Sequence, residues 1–205
     1  MTEKTDFSQR VIESIKESIS AKERLLASAE TIAAIARVSE VLIESLRAGH
    51  KLLLFGNGGS AADSQHIAAE FVGRFAFDRP ALPALALSVN TSALTAIGND
   101  YGFDQVFSRQ IEALGTSGDV AIGISTSGNS PNVLQGLTTA RKLGLHTVAF
   151  TGGSGGKMLD AADHSICAPS KETPRIQECH ILIGHVISQL VEHAIFHEQS
   201  SVSRS

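Results

Sequence analysis

The stretch Val120-Ala121-Ile122-Gly123-Ile124-Ser125, read as a strand over 120–125 whose last residue opens the turn Ser125-Thr126-Ser127-Gly128-Asn129-Ser130-Pro131, decides the fold. Five residues without a polar side chain are what a strand covered on both faces requires. The turn then places four hydroxyls within six residues and ends at a proline. Proline suits a first helical position, where its missing N–H costs nothing. Strand, polar turn and helix in that order form half of a βαβ unit.

The same rhythm extends in both directions. Residues 51–55 read as a strand running into Gly56-Asn57-Gly58-Gly59-Ser60, with a helix over 61–72. A weaker strand over 84–87 precedes helices over 91–97 and 104–114. The helix opened by Pro131 reaches 143. A strand over 147–150 meets Gly152-Gly153-Ser154-Gly155-Gly156, and a last strand, 164–168, precedes a long helix over 176–197. Strands alternating with helices imply right-handed crossovers and a parallel sheet. The expected architecture is α/β, a three-layer α/β/α sandwich with a five-stranded parallel sheet. Before it, Val11, Ile12, Ile15 and Ile19, then Ile32, Ile35, Val38, Leu42 and Leu46, recur at helical spacing. Residues 1–48 are therefore read as a helical extension of the same domain that covers either the sheet or another subunit, with Ala27-Ser28-Ala29 dividing two helices. Residues 49–199 form the main body, and 200–205 a polar tail expected to fray.

Composition bounds the function. The chain has 205 residues, 42% hydrophobic and 19% charged, with a net charge of −4. That size permits one domain with a sizeable core, and that charge gives no basic face for nucleic acid. No run approaches ~18 apolar residues, so no membrane span is expected. The polar residues 1–10 lack the apolar core of a signal peptide, and a cytoplasmic protein is expected. Cys167 and Cys179, the two cysteines, read as reduced thiols rather than a disulfide framework.

In open parallel sheets, ligands sit beyond the carboxyl ends of the strands. Gly56-Asn57-Gly58-Gly59-Ser60 lets backbone N–H groups approach a ligand and opens a helix, whose N-terminus favours an anion. It is a poor dinucleotide loop, because Ala61 fills the third glycine position and no acidic residue follows a second strand. No Gly-Lys-Ser/Thr follows the glycines, which excludes a Walker loop. The hydroxyls of Ser125, Thr126, Ser127 and Ser130 can surround a phosphate without lysine or metal, whereas capping a helix needs only one of them.

Gly123 to Ser130 resembles the phosphosugar-binding signature of the SIS (sugar isomerase) domain. Residues 56–63 with His66 and Glu70, then Thr95-Ala96-Ile97-Gly98-Asn99-Asp100 and Arg175-Ile176-Gln177-Glu178, resemble the phosphoheptose isomerase family over nearly the whole chain. The resemblance implies conversion of sedoheptulose 7-phosphate to glycero-manno-heptose 7-phosphate, the first step toward nucleotide-activated heptose for lipopolysaccharide. It implies sugar contacts from Asn57, Gly58, Gly59, Glu70, Asn99, Asp100 and Gln177, and phosphate contacts from Ser125, Thr126, Ser127 and Ser130. It also implies one zinc site per subunit on His66, Glu70, Gln177 and His185, and a homotetramer with sites between subunits. Asp63 and Arg74 fall in matching segments. Pro174 departs from the family pattern just before Arg175.

Read as residues alone, His66 and Glu70 share a helix face at four-residue spacing, suited to a metal, an acid–base pair or a surface ion pair. Gln177 and His185 stand about 12 Å apart along a helix and are offset by about 80°, so convergence on one ion is tight. An amide is a weak zinc ligand, and modest affinity is expected. Glu70 and His185 are the candidate catalytic pair, although a metal-bound carboxylate or imidazole is a poorer base, and zinc's role stays open between catalytic and structural. His193 and His197, beside Glu192 and Glu198, read as a solvated helix end, and His180 matches no role. The alternative is a non-catalytic SIS protein that binds the replication initiator; retention of Glu70 and His185 speaks for the enzyme.

Overall fold

The computed structural model describes residues 6–202, with side chains as far as Phe196. The expectations for residues 1–5 and 203–205 lie outside this range. α1 (Phe7–Ala27) and α2 (Ala29–Arg47) are divided at Ser28, which accepts the Thr31 N–H and caps α2. Five strands follow: β1 (Leu52–Gly56), β2 (Ala84–Ala86), β3 (Val120–Ile124), β4 (His146–Gly152) and β5 (His164–Ala168). Between them lie α3 (Gly59–Val72), α4 (Thr91–Tyr101), α5 (Ser108–Leu114), α6 (Pro131–Lys142) and α7 (Met158–Ala161), and α8 (Thr173–Val202) closes the chain.

All strand pairs are parallel, in the order β2-β1-β3-β4-β5. This is the expected α/β/α sandwich. β1 and β3 are buried at every residue, as their unbroken apolar runs require. Alternate residues point to opposite faces. Leu52, Leu54, Ile122 and Phe150 join α1, α2, α3 and α8 in one core. Leu53, Phe55, Ala121 and Ala149 join α5, α6 and α7 in the other, against which α4 lays Leu94 and Ile97. Because the helices after β1 and β3 cover opposite faces, the chain reverses its winding between those strands. A crevice opens at such a switch point.

Several boundaries differ from the sequence reading: α4 runs to Tyr101 rather than ending at 97, α8 begins at Thr173 rather than 176, and α7 is an added turn of helix. The segment expected as one helix over 104–114 is split, because Phe103–Gln105 forms a separate 3-10 turn after Gly102 (φ +90°). The tail expected to fray from residue 200 is still helical through Val202. α8 over Thr173–Phe196 is long and apolar enough, by composition, to cross a membrane. Its apolar residues Ile176, Ile183, Ile187 and Val191 are instead core residues packed with α2 and α3. Cys179 is buried and Cys167 half-buried; both are free thiols, which burial pushes up in pKa.

His180, fully buried on α8, donates from Nε2 to the Thr151 carbonyl at 2.9 Å, leaving Nδ1 without a hydrogen bond among the described residues. Burial lowers its pKa from 6.5 to about 4, partly offset by the Thr151 bond. Below pH 6.5 the unfolded chain therefore takes up a proton that the folded state excludes, so stability falls as the pH drops toward 4. Urea unfolding is expected to show wild type losing about 2 kcal/mol more than His180→Gln between pH 7 and pH 5. Equal losses would contradict this.

Candidate functional site

The site is built where α3 lies beside α8, both running in the same direction. Ile67 of α3 fills the space a side chain at Gly184 would need: a Cβ there would lie 2.5 Å from Ile67 Cδ1. This close approach brings His66 Nε2 to 3.2 Å from His185 Nε2 and 3.1 Å from Glu70 Oε1. One donor atom from each residue lies within 4.8 Å of the others. Glu70 is half-buried and His66 about half exposed, so the cluster opens to solvent. The Phe75 ring stands 5.8 Å from the His185 ring and shields one side.

The donor set fits zinc. Ligand atoms in a tetrahedral shell 2.0–2.1 Å from the ion are about 3.3 Å from one another, close to the separations just given. Gln177 stands two turns earlier on α8, with its amide packed over Gly59: a Cβ on Gly59 would lie 2.8 Å from Gln177 Cδ. Glycine at 59 is thus what admits Gln177 to the first ligand loop.

The second loop gathers its hydroxyls. Ser125 Oγ lies 2.8 Å from Ser130 Oγ and 3.4 Å from Ser127 Oγ. Ser130 is the N-cap residue of α6, yet its side chain makes no capping bond. Its hydroxyl turns to Ser125 instead, so the explanation of this loop as a helix cap fails. Gly128 (φ +65°) passes so close to the Gly155 carbonyl that any Cβ would collide with it. Thr126 lines a cavity of about 360 Å³ with Gly153, Ser154, Ser170 and Lys171.

The model of the SIS domain family matches residues 11–152. The phosphoheptose isomerase of Aneurinibacillus thermoaerophilus is 57% identical over 182 residues, 89% of this chain and 92% of that one. The structure of phosphoheptose isomerase GmhA from Neisseria gonorrhoeae superposes with a TM-score of 0.86 at 43% identity, covering 91% of this chain and 99% of that one. A phosphoheptose isomerase from Francisella tularensis gives 0.88 at 34% identity, with coverages of 92% and 100%. The chain belongs to the phosphoheptose isomerase family, within the SIS domain proteins. The two halves of the site carry different chemistry, a carboxylate with two imidazoles in one and clustered hydroxyls in the other.

Asn57 and the buried Asn132 exchange paired amide hydrogen bonds at 2.9 Å, joining the loop after β1 to the first turn of α6. Asn132 was not singled out from sequence; its place one residue after Pro131, at a helix start facing another ligand loop, is the signal that could have found it. Gly58 (φ +55°) is exposed at the start of α3. Asn99 and Asp100 lie exposed near the end of α4, hydrogen-bonded to each other at 2.8 Å and to neither loop. Asp63, one turn before His66, has Oδ2 buried without a hydrogen bond among the described residues; burial raises its carboxyl to about 6, against the opposing pull of His66. Arg74 is exposed.

One expectation is overturned. Glu192 does not lie on a solvated helix end. It is 2% exposed, because the segment after α3 folds over it. It accepts the Phe75 and Ala76 N–H groups, each at 2.8 Å, and pairs with Arg79 at 2.9 Å. Burial pushes its carboxyl up, but these donors together hold it below the usual range. His193 is exposed, and the side chain of His197 lies outside the described residues.

Gly128→Ala is expected to lower stability by about 2 kcal/mol or more in urea unfolding, because strain and collision coincide. Gly49→Ala, at φ +85° with open space around the missing Cβ, should cost less. Equal losses would show that the contact with Gly155 is unimportant.

Proposed function

We propose that this protein interconverts sedoheptulose 7-phosphate and D-glycero-D-manno-heptose 7-phosphate in the cytoplasm, the first step toward nucleotide-activated heptose for the lipopolysaccharide core. The observation that carries the reading is the convergence of His66, Glu70 and His185 within 4.8 Å. A protein that only binds a partner has no need of that cluster, so the initiator-binding alternative is not favoured. Seven residues of α3 separate Gly59 from His66, about 10 Å of helix. That span suits an extended sugar whose phosphate rests on Ser125, Thr126, Ser127 and Ser130, and whose hydroxyls meet Asn57, Gly58, Gly59, Asn99, Asp100 and Gln177.

An aldose–ketose isomerisation shifts one proton between adjacent carbons through an enediol. Glu70 removes a proton from C1 of the ketose, and His185 serves the oxygen on the neighbouring carbon. Both contacts of His66 are made by its Nε2, 3.1 Å from Glu70 and 3.2 Å from His185, so it holds the two in place rather than passing a proton between them. Returning the proton to C2 while His185, having protonated the C2 oxygen, takes the proton of the C1 hydroxyl completes the aldose. Zinc, held with modest affinity by His66, Glu70, Gln177 and His185, would supply polarisation of the sugar carbonyl when bound.

The reading includes a homotetramer. Val11, Ile12, Ile15 and Ile19 leave an exposed apolar stripe on α1. An apolar hollow of about 340 Å³ lies between Leu26, Ile32, Val186 and Leu190. On α4 no residue is buried, and it carries Asn99 and Asp100. Surfaces of this kind on a lone chain call for a second copy, which would also close the site over the sugar.

NMR of sedoheptulose 7-phosphate incubated with the protein and zinc is expected to show new aldose signals. Glu70→Gln and His185→Ala should each slow their appearance by about 100-fold or more. Near-normal turnover in either variant would overturn its role. Light scattering is expected to report a tetramer, and a fully active monomer would contradict the shared site.

A further inference from the structure

The segment between α3 and β2 is tied down by an ion pair that the proton-transfer scheme does not use. Arg79 and Glu192 face one another at 2.9 Å, each with a side chain only 2% exposed. Every arm of the pair reaches backbone. Arg79 Nη2 donates to the Glu70 carbonyl at 2.7 Å, and Nη1 to the Phe71 carbonyl at 2.8 Å and the Pro80 carbonyl at 2.9 Å. The first two are carbonyls of the last turn of α3, which have no partner within the helix. Across the pair, Glu192 accepts the N–H groups of Phe75 and Ala76.

Stability alone is a weak reason for such a pair, since apolar residues of similar volume often serve as well. What distinguishes this one is its placement. One end holds the peptide of Glu70, whose carboxylate meets His66. The other end holds the peptide of Phe75, whose ring abuts His185. Glu192 itself is on α8, two turns beyond His185. The ion pair therefore spans both helices of the site and the loop that shields it.

We infer that the Arg79–Glu192 pair positions the proton-transfer cluster, fixing the backbone of Glu70 and holding Phe75 against His185. The pair touches no reacting atom and acts only through those residues. The inference rests on the isomerase reading for its kinetic consequence, but its geometry can be read independently. A guanidinium is needed because its planar fork spans three carbonyls and the carboxylate together, which an ammonium on a flexible stem does not reproduce.

Arg79→Lys keeps the charge opposite Glu192 and loses the fork. Its kcat is expected to fall about tenfold with KM within about twofold, since a misplaced base slows chemistry without loosening the phosphate. The His185 ring proton resonances, assigned by their disappearance in His185→Gln, should move toward their positions in Phe75→Leu as the ring contact loosens. Wild-type kcat with unmoved resonances would overturn the inference. So would a rate loss that simply follows thermal unfolding and vanishes well below the melting temperature. Should Arg79→Lys fail to fold, Phe75→Leu carries the test, since the shielding ring must then matter: a lowered kcat supports the inference and an unchanged one overturns it. A wild-type protein without isomerase activity would sink the functional reading, while the His185 resonances would still report whether the pair holds the cluster.

Discussion

The site depends on how closely α3 and α8 can approach. Their packing sets His66 Nε2 3.2 Å from His185 Nε2. Gly184 removes the obstacle on α8 where Ile67 needs the space, and Gly59 does so on α3 where the Gln177 amide lies. Both glycines serve contact rather than turning, since neither adopts a positive φ. The parallel course of the two helices then sets a register in which Gly59 meets Gln177, His66 meets His185, and the segment after α3 meets Glu192.

The sheet supplies the other constraint. Because the crossovers from β1 and β3 cover opposite faces, the loops that leave those strands diverge and face one crevice. The reciprocal amides of Asn57 and Asn132 tie the loops together across it. Collision between Gly128 and Gly155 is avoided only by the missing side chain, which lets the loop after β4 buttress the hydroxyl loop. The hydroxyl half of the site is thus held by backbone geometry, whereas the histidine–carboxylate half is held by side-chain packing between helices.

That division explains what could be read from the sequence. β1 and β3 were legible because each is an unbroken apolar run leading into glycine or serine, and β2 was the weakest because only three residues pair. The hydroxyl loop was legible because its chemistry is contiguous. His66 and Glu70 were legible as a pair from their spacing, but their meeting with His185 crosses 119 positions, and only family resemblance supplied it. Glu192 was misplaced for the same reason. A glutamate near a chain end reads as solvated, and nothing local to it reveals that Phe75, Ala76 and Arg79 close over it. The break between the 3-10 turn and α5 was missed because Val106, Phe107 and Ile111 carry an apolar spacing across it.

The central proposal is that Glu70 and His185 move a proton between solvent-exchangeable groups and sugar carbons. Running the reaction on sedoheptulose 7-phosphate in D2O and weighing the product tests this directly. One deuterium bonded to C2 of the aldose is the expected result, because the proton that Glu70 takes exchanges with solvent before it returns. Complete conversion with no deuterium on carbon would mean that hydrogen passes directly between the carbons, and would contradict the account.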